Sequence, residues 1–134
     1  MYLSLLSREE KFYFIDLVMK VVRVDGEMTE LEQQIINKLK YEMGEDAWKY
    51  RRSSLTIDKL VDYFSKKNPT IKNLVYLNLV SVSLYDEFYS VEEHFLLEDI
   101  RNRLEIPDKK KTELMKIVYS ERDLREKAKR VITE

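Results

Sequence analysis

Cysteine is absent from these 134 residues, so disulfides, thiolate metal sites and thiol nucleophiles are excluded outright. Two glycines, Gly26 and Gly44, and two prolines, Pro69 and Pro107, are all the strong punctuation the chain contains. Sheet proteins need many turns and turns need such residues, so the scarcity favours long helices. No stretch approaches the roughly 20 apolar residues of a membrane-spanning helix. Neither sign of charge dominates, with 24 Lys and Arg against 25 Asp and Glu. Such a balance gives no general drive toward nucleic acid or anionic membranes. The opening Met1-Tyr2-Leu3-Ser4-Leu5-Leu6 is apolar but lacks a basic leader and meets Arg8-Glu9-Glu10-Lys11 at once. No signal peptide is expected, and a cytoplasmic location is.

What is present suits one domain over residues 1–134. Hydrophobic residues make up 44% of the chain and charged residues 37%, enough for a core and a soluble surface. Ser7 and Glu10 form a Ser-x-x-Glu capping box. The helix it starts carries Phe12, Ile15, Val18, Met19 and Val22 at helical spacing and is expected to end near Val24. After Asp25-Gly26-Glu27-Met28, Thr29 and Glu32 form a second box, followed by a stripe of Leu31, Ile35, Ile36 and Leu39. Gly44 is a natural stop. Residues 45–54 read as a short helix and loop. Thr56 caps a helix with Ile57, Leu60, Val61 and Phe64 inward, and Asn68-Pro69 opens the next. In that one Leu74, Val75, Leu77, Leu79, Val80, Val82 and Leu84 cover more than one face. A strand competes there, because Val80, Val82 and Leu84 alternate, but length and missing turn signals favour a helix buried nearly all round. Ser90 and Glu93 form a further box, Ile106-Pro107 stops that helix, and two more are expected after Asp108 and after Ser120. The fold class is therefore all-α, a compact bundle of about seven helices.

Sliding the chain against itself until Asp25 meets Asp86 also places Thr29 on Ser90, Glu32 on Glu93 and Ile35-Ile36 on Leu96-Leu97. Acidic turn residue, cap, capping-box partner and buried stripe coincide, which reads as a duplication with copies over roughly 8–44 and 69–105. Each copy is an apolar helix, an acidic turn and a capped amphipathic helix. Neither can bury its apolar face alone, so the two should pack on each other.

An apolar helix leading into Asp25-Gly26-Glu27-Met28-Thr29-Glu30-Leu31-Glu32, repeated loosely at Asp86, resembles the TerB-like family. That family is named for a bacterial tellurite-resistance protein, and a similar domain precedes a DnaJ-type co-chaperone module. The match spans roughly Phe12 to Leu114, and departs from the family pattern at Glu87-Phe88, where a glycine would be expected. The resemblance implies an all-helical fold, a bacterial cytoplasmic setting, a link to tellurite resistance or stress response, and no established enzymatic activity.

Two kinds of site are candidates. Segment 25–36 holds four acidic residues and no basic ones, and segment 86–99 holds six and again none. Carboxylates at two converging turns, with Asp25, Glu27, Asp86 and Glu87 foremost, suit Ca²⁺, Mg²⁺ or Mn²⁺. The plainer reading carries more weight: Glu32 and Glu93 complete capping boxes and the others complement helix N-termini. A standard EF-hand is excluded, because Val21 and Arg23 would fall on the first two ligand positions. His94, the only histidine, lacks the partners that zincin, di-metal or triad chemistry requires. The second candidate is a protein-partner surface of Trp48, Tyr50, Arg51 and Arg52, with Phe88, Tyr89, Glu92 and Glu93 beside the second acidic turn. The competing role for these aromatics is to cover the core with their polar ends in water. The weakly basic, mixed-sign segment 108–134 reads as a solvated helix rather than a nucleic-acid reader. Together these features predict a non-catalytic binding or scaffold domain that engages a protein partner, with a divalent-cation binder as the alternative. No membrane insertion is expected.

Overall fold

Ser7 fixes where the first helix begins. Its Oγ accepts the Glu10 N–H at 3.2 Å while the Glu10 carboxylate accepts the Ser7 N–H at 2.8 Å, which satisfies two donors that a helix start otherwise leaves open. The computed structural model describes residues 2–24, 30–84 and 90–134, the side chains of Leu31 and Glu32 excepted. Within them helices α1 (Arg8–Val22), α2 (Glu30–Glu42), α3 (Ile57–Ser65), α4 (Pro69–Ser83), α5 (Val91–Arg103) and α6 (Asp108–Thr133) follow one another, with short 3-10 turns at Leu3–Leu5 and Gly44–Lys49. No strand occurs among the described residues.

Three further starts follow the sequence signals. Thr56 accepts from the Lys59 N–H at 3.2 Å, Asn68 from Ile71 at 3.1 Å ahead of Pro69, and Ser90 from Glu93 at 3.0 Å. Each relieves an unpaired donor at a helix entrance. The alternating stretch within Leu74–Leu84 is helical, and its Leu74, Val75, Leu79, Val80 and Val82 are buried.

Helices α1 and α4 form the centre. Helix α1 packs on α2, α3, α4 and α5, and α4 packs on α3, α5 and α6 as well. Both central helices show only a weak difference between faces because most of their length is enclosed, as expected of helices buried nearly all round. The opening 3-10 turn belongs to the core too, with Leu3 and Leu6 buried and the Leu3 N–H donating to the Glu42 carboxylate at 3.0 Å.

Helix α1 ends at Val22 with Arg23 as its cap, near the expected Val24. One expectation needs correction. The helices expected after Asp108 and after Ser120 are one helix of 26 residues. Ser120 can sit inside it because serine in an exposed helix interior costs only a few tenths of a kcal/mol relative to alanine. The acidic residues after Ser120 thus lie in mid-helix rather than at a helix start. The all-α class stands: among the described residues six α-helices and two 3-10 turns agree with a bundle of about seven helices.

The shift that carries Asp25 onto Asp86 also carries both ends of α1 onto those of α4, Arg8 onto Pro69 and Val22 onto Ser83. It does the same for α2 and α5, taking Glu30 onto Val91 and Glu42 onto Arg103. The stops also correspond. Gly44, just past α2, has φ +63°, and Glu105, just past α5, has φ +56°. Around Glu105 the Glu105 N–H donates to the Asn102 carbonyl at 3.1 Å and the Ile106 N–H to the Arg101 carbonyl at 3.2 Å, while Ile106 is buried. That pair of bonds with its apolar contact is a Schellman stop, normally built on glycine. A glutamate carries the left-handed conformation at a cost of about 1 kcal/mol. Glu105→Gly is therefore expected to raise stability by about 0.5–1 kcal/mol in urea denaturation. Gly44→Ala should lower it by about 1 kcal/mol through the backbone alone, since a Cβ there meets nothing within 4 Å. Shifts of the same sign for both would contradict this reading.

Candidate functional site

Of the residues proposed from sequence, Asp25, Glu27, Asp86, Glu87, Phe88 and Tyr89 lie outside the described residues. Among the described residues, no three His, Cys, Asp or Glu side chains form a group able to hold a metal ion. Glu92 is exposed on the first turn of α5. Glu93 is 4% exposed, its N–H donates to the Ser90 hydroxyl at 3.0 Å, and its Oε1 lies 3.5 Å from that hydroxyl.

The aromatic and basic run at 48–52 separates into inward and outward parts. Helix α2 gives way at Gly44, whose left-handed backbone turns the chain into the 3-10 segment Gly44–Lys49. Asp46 then ties this segment to α1, receiving Arg8 Nε at 3.0 Å and Lys11 Nζ at 3.1 Å. The Lys11 bond is the largest influence, burial opposes it, and the Arg8 bond and the two charges then tip the balance, holding the Asp46 carboxyl below its ordinary range.

Tyr50 faces inward. Its hydroxyl donates to the carboxylate of Asp16, a residue 2% exposed in the middle of α1, and the Ser53 N–H donates to the other oxygen at 3.1 Å. Burial, and then the bond and charge of Asp16, push the Tyr50 phenol well above its usual range and keep it protonated. The ring of Phe12 meets Tyr50 edge-on at 5.5 Å, and Lys40 lies over its face at 5.6 Å from the ring centre. Sequence reasoning misses Asp16. The available signal is a carboxylate inside the apolar run Phe14-Ile15-Asp16-Leu17-Val18, where a charge requires partners.

Trp48 points the other way and is 86% exposed. Tyr41, near the end of α2, is 89% exposed and is likewise missed by the sequence pattern. Arg51 folds back on the turn, donating to the carbonyls of Tyr50 at 2.8 Å and Trp48 at 3.5 Å. Lys49, Arg51 and Arg52 are exposed, so this segment presents the bare Trp48 ring beside cations close in sequence. The covering role considered for this run falls to Tyr50 and Ala47, which pack partly buried against the core. An exposed tryptophan loses the solvent-shielding gain of its large ring. Asp46, Tyr50 and Ser53 nevertheless tie the backbone around it to α1, so the ring is presented from an anchored turn.

The chain matches no family model, no curated protein and no solved structure.

Proposed function

We propose that this chain is a non-catalytic protein-interaction domain of TerB-like type, built by duplication of a two-helix unit, whose contact surface centres on Trp48 and Tyr41. The observation that carries the proposal is a tryptophan almost fully in water on a turn tied to α1 through Asp46, Tyr50 and Ser53. Pre-organisation of this kind lowers the ordering cost of binding, and tryptophan, tyrosine and arginine dominate binding hot spots. With exposed Lys49, Arg51 and Arg52 next to Trp48 in sequence, the fitting partner is a protein surface with an apolar pocket rimmed by carboxylates. Support for duplication is that one shift relates α1 to α4, α2 to α5, and the left-handed stop at Gly44 to that at Glu105.

The test is affinity capture with the native chain and with Trp48→Ala, Tyr41→Ala and Arg52→Glu. Thermal stability should stay within about 0.5 kcal/mol of native in all three, as for exposed positions generally. A truncated hot-spot aromatic should cost at least about 2 kcal/mol of affinity, roughly thirtyfold. A captured set that is the same for all four proteins would end the proposal. Glu92→Lys serves as the control on a different helix and should leave capture unchanged.

A further inference from the structure

We propose that the cleft between α4, α5 and α6 is a binding site for a small amphipathic carboxylic acid, a single anionic head on an apolar body. The cleft encloses about 400 Å³, within the range of small-molecule sites. Its walls come from three helices: Tyr76 and Val80 of α4, Leu97 of α5 and Met115 of α6. A thioether and aliphatic walls suit an aliphatic or aromatic body of adaptable shape, and a charged body would lose hydration there without repayment.

The mouth settles the sign of the head group. Among the described residues Glu98 is the carboxylate on the cleft, and it is already occupied. Lys111 Nζ lies 2.6 Å from its Oε1, and Arg101 reaches its Oε2 with Nη2 at 3.2 Å and Nε at 3.3 Å. Burial raises the Glu98 carboxyl, but those two cations together hold it below its ordinary range. It therefore stays ionised and neutralised by its partners. Lys116, also lining the cleft, has no ion-pair partner among the described residues. Among the described residues the uncompensated charge on the cleft is thus one ammonium, which complements a monoanion and disfavours a cation. This site is separate from the Trp48 turn, since none of its lining residues comes from α1, α2 or the 3-10 segment.

The probe is decanoate, kept below its micelle concentration, with decanol and decyltrimethylammonium as neutral and cationic analogues. Binding is read from the methyl resonance of Met115 and, in every variant including those without that methyl, from full calorimetric titration curves. Saturable decanoate binding is expected to shift Met115 and to be at least tenfold tighter than either analogue. Lys116→Glu, at an exposed position, should weaken decanoate about tenfold or more while leaving decanol unaltered. Met115→Trp, which fills the cleft, should abolish both, and Trp48→Ala should change neither. Absence of a saturable Met115 shift with millimolar decanoate would overturn the proposal, as would equal affinity for all three probes. Because Trp48→Ala is read in the same titrations, failure here leaves the protein-interaction reading to its own test.

Discussion

Asp16→Ala is expected to remove about 3 kcal/mol of folding stability, a large fraction of the roughly 5–15 kcal/mol of a typical domain. The side chain is small, so the loss does not come from packing. It comes from stranding the Tyr50 hydroxyl and the Ser53 N–H, two donors that lose their charged acceptor 34 and 37 residues away in sequence. Tyr50→Phe removes one of the two bonds and should cost about 1.5–2 kcal/mol. The effects should not add, because both act on one network, and the double variant should fall short of the sum by about 0.5 kcal/mol or more. Denaturation in urea measures all three. An Asp16→Ala variant within about 1 kcal/mol of native, the worth of one ordinary hydrogen bond, would show that the carboxylate is dispensable. The pH dependence has a defined sign. The folded phenol of Tyr50 titrates above its unfolded value near 10. Its contribution is therefore fully present below about pH 10 and is lost as pH rises beyond it. Native protein should lose stability in strong alkali more steeply than Tyr50→Phe.

Phe64→Ala should cost about 3–5 kcal/mol. Phe64 is fully buried in α3, a helix of nine residues that buries Leu60, Val61 and Phe64 and packs on α1, α4 and α5. So short a helix has little stability of its own and exists through its apolar face. Phe64 also meets the Tyr63 ring edge-on at 5.0 Å, and Tyr63 in turn donates to the Glu9 carboxylate of α1 at 3.0 Å. Loss of the phenylalanine therefore leaves a cavity and loosens the seam between α3 and α1. Thermal unfolding with a helicity readout would check this. A drop of less than about 1.5 kcal/mol would mean the space collapses without consequence. By comparison Tyr63→Phe, with its hydroxyl bond at the surface, should cost less than about 1 kcal/mol.

The helix starts were legible because they are local. Ser7 with Glu10, Thr56, Asn68-Pro69 and Ser90 each settle their donors within three residues, and a single sequence contains that information. Helix α4 was legible for a different reason: Leu74 through Val82 is too apolar for a helix with a wet face and too long for an unpunctuated strand. The continuity of α6 was not legible, since Ser120 followed by acidic residues has the pattern of a helix start, and only the absence of a competing turn keeps the helix intact. The partners of Asp16 were equally hidden. A buried charge announces that it must be satisfied, but the identity of so distant a donor depends on how α1 meets the turn after α2. Trp48 and Tyr50 show the same limit. Close in sequence and similar in chemistry, they face opposite ways because Tyr50 has a carboxylate to reach and Trp48 has none. The cleft was invisible for the same reason, as its lining comes from three helices and its charge from a lysine whose neighbours only packing reveals.

Helix α6 runs about 39 Å at the usual rise per residue, yet the residues it buries are Leu114 and Val118. Its two ends consequently live under different thermodynamics. Unwinding from Thr133 back to about Asp123 uncovers no core side chain among the described residues and breaks the contacts of half-buried Arg125 and backbone hydrogen bonds bordered by water, whereas unwinding past Val118 opens the seam with α4. The outer turns behave as a local coil–helix equilibrium attached to a cooperative domain. Leu124, Val131 and Ile132, all exposed there, can change company without uncovering Leu114 or Val118.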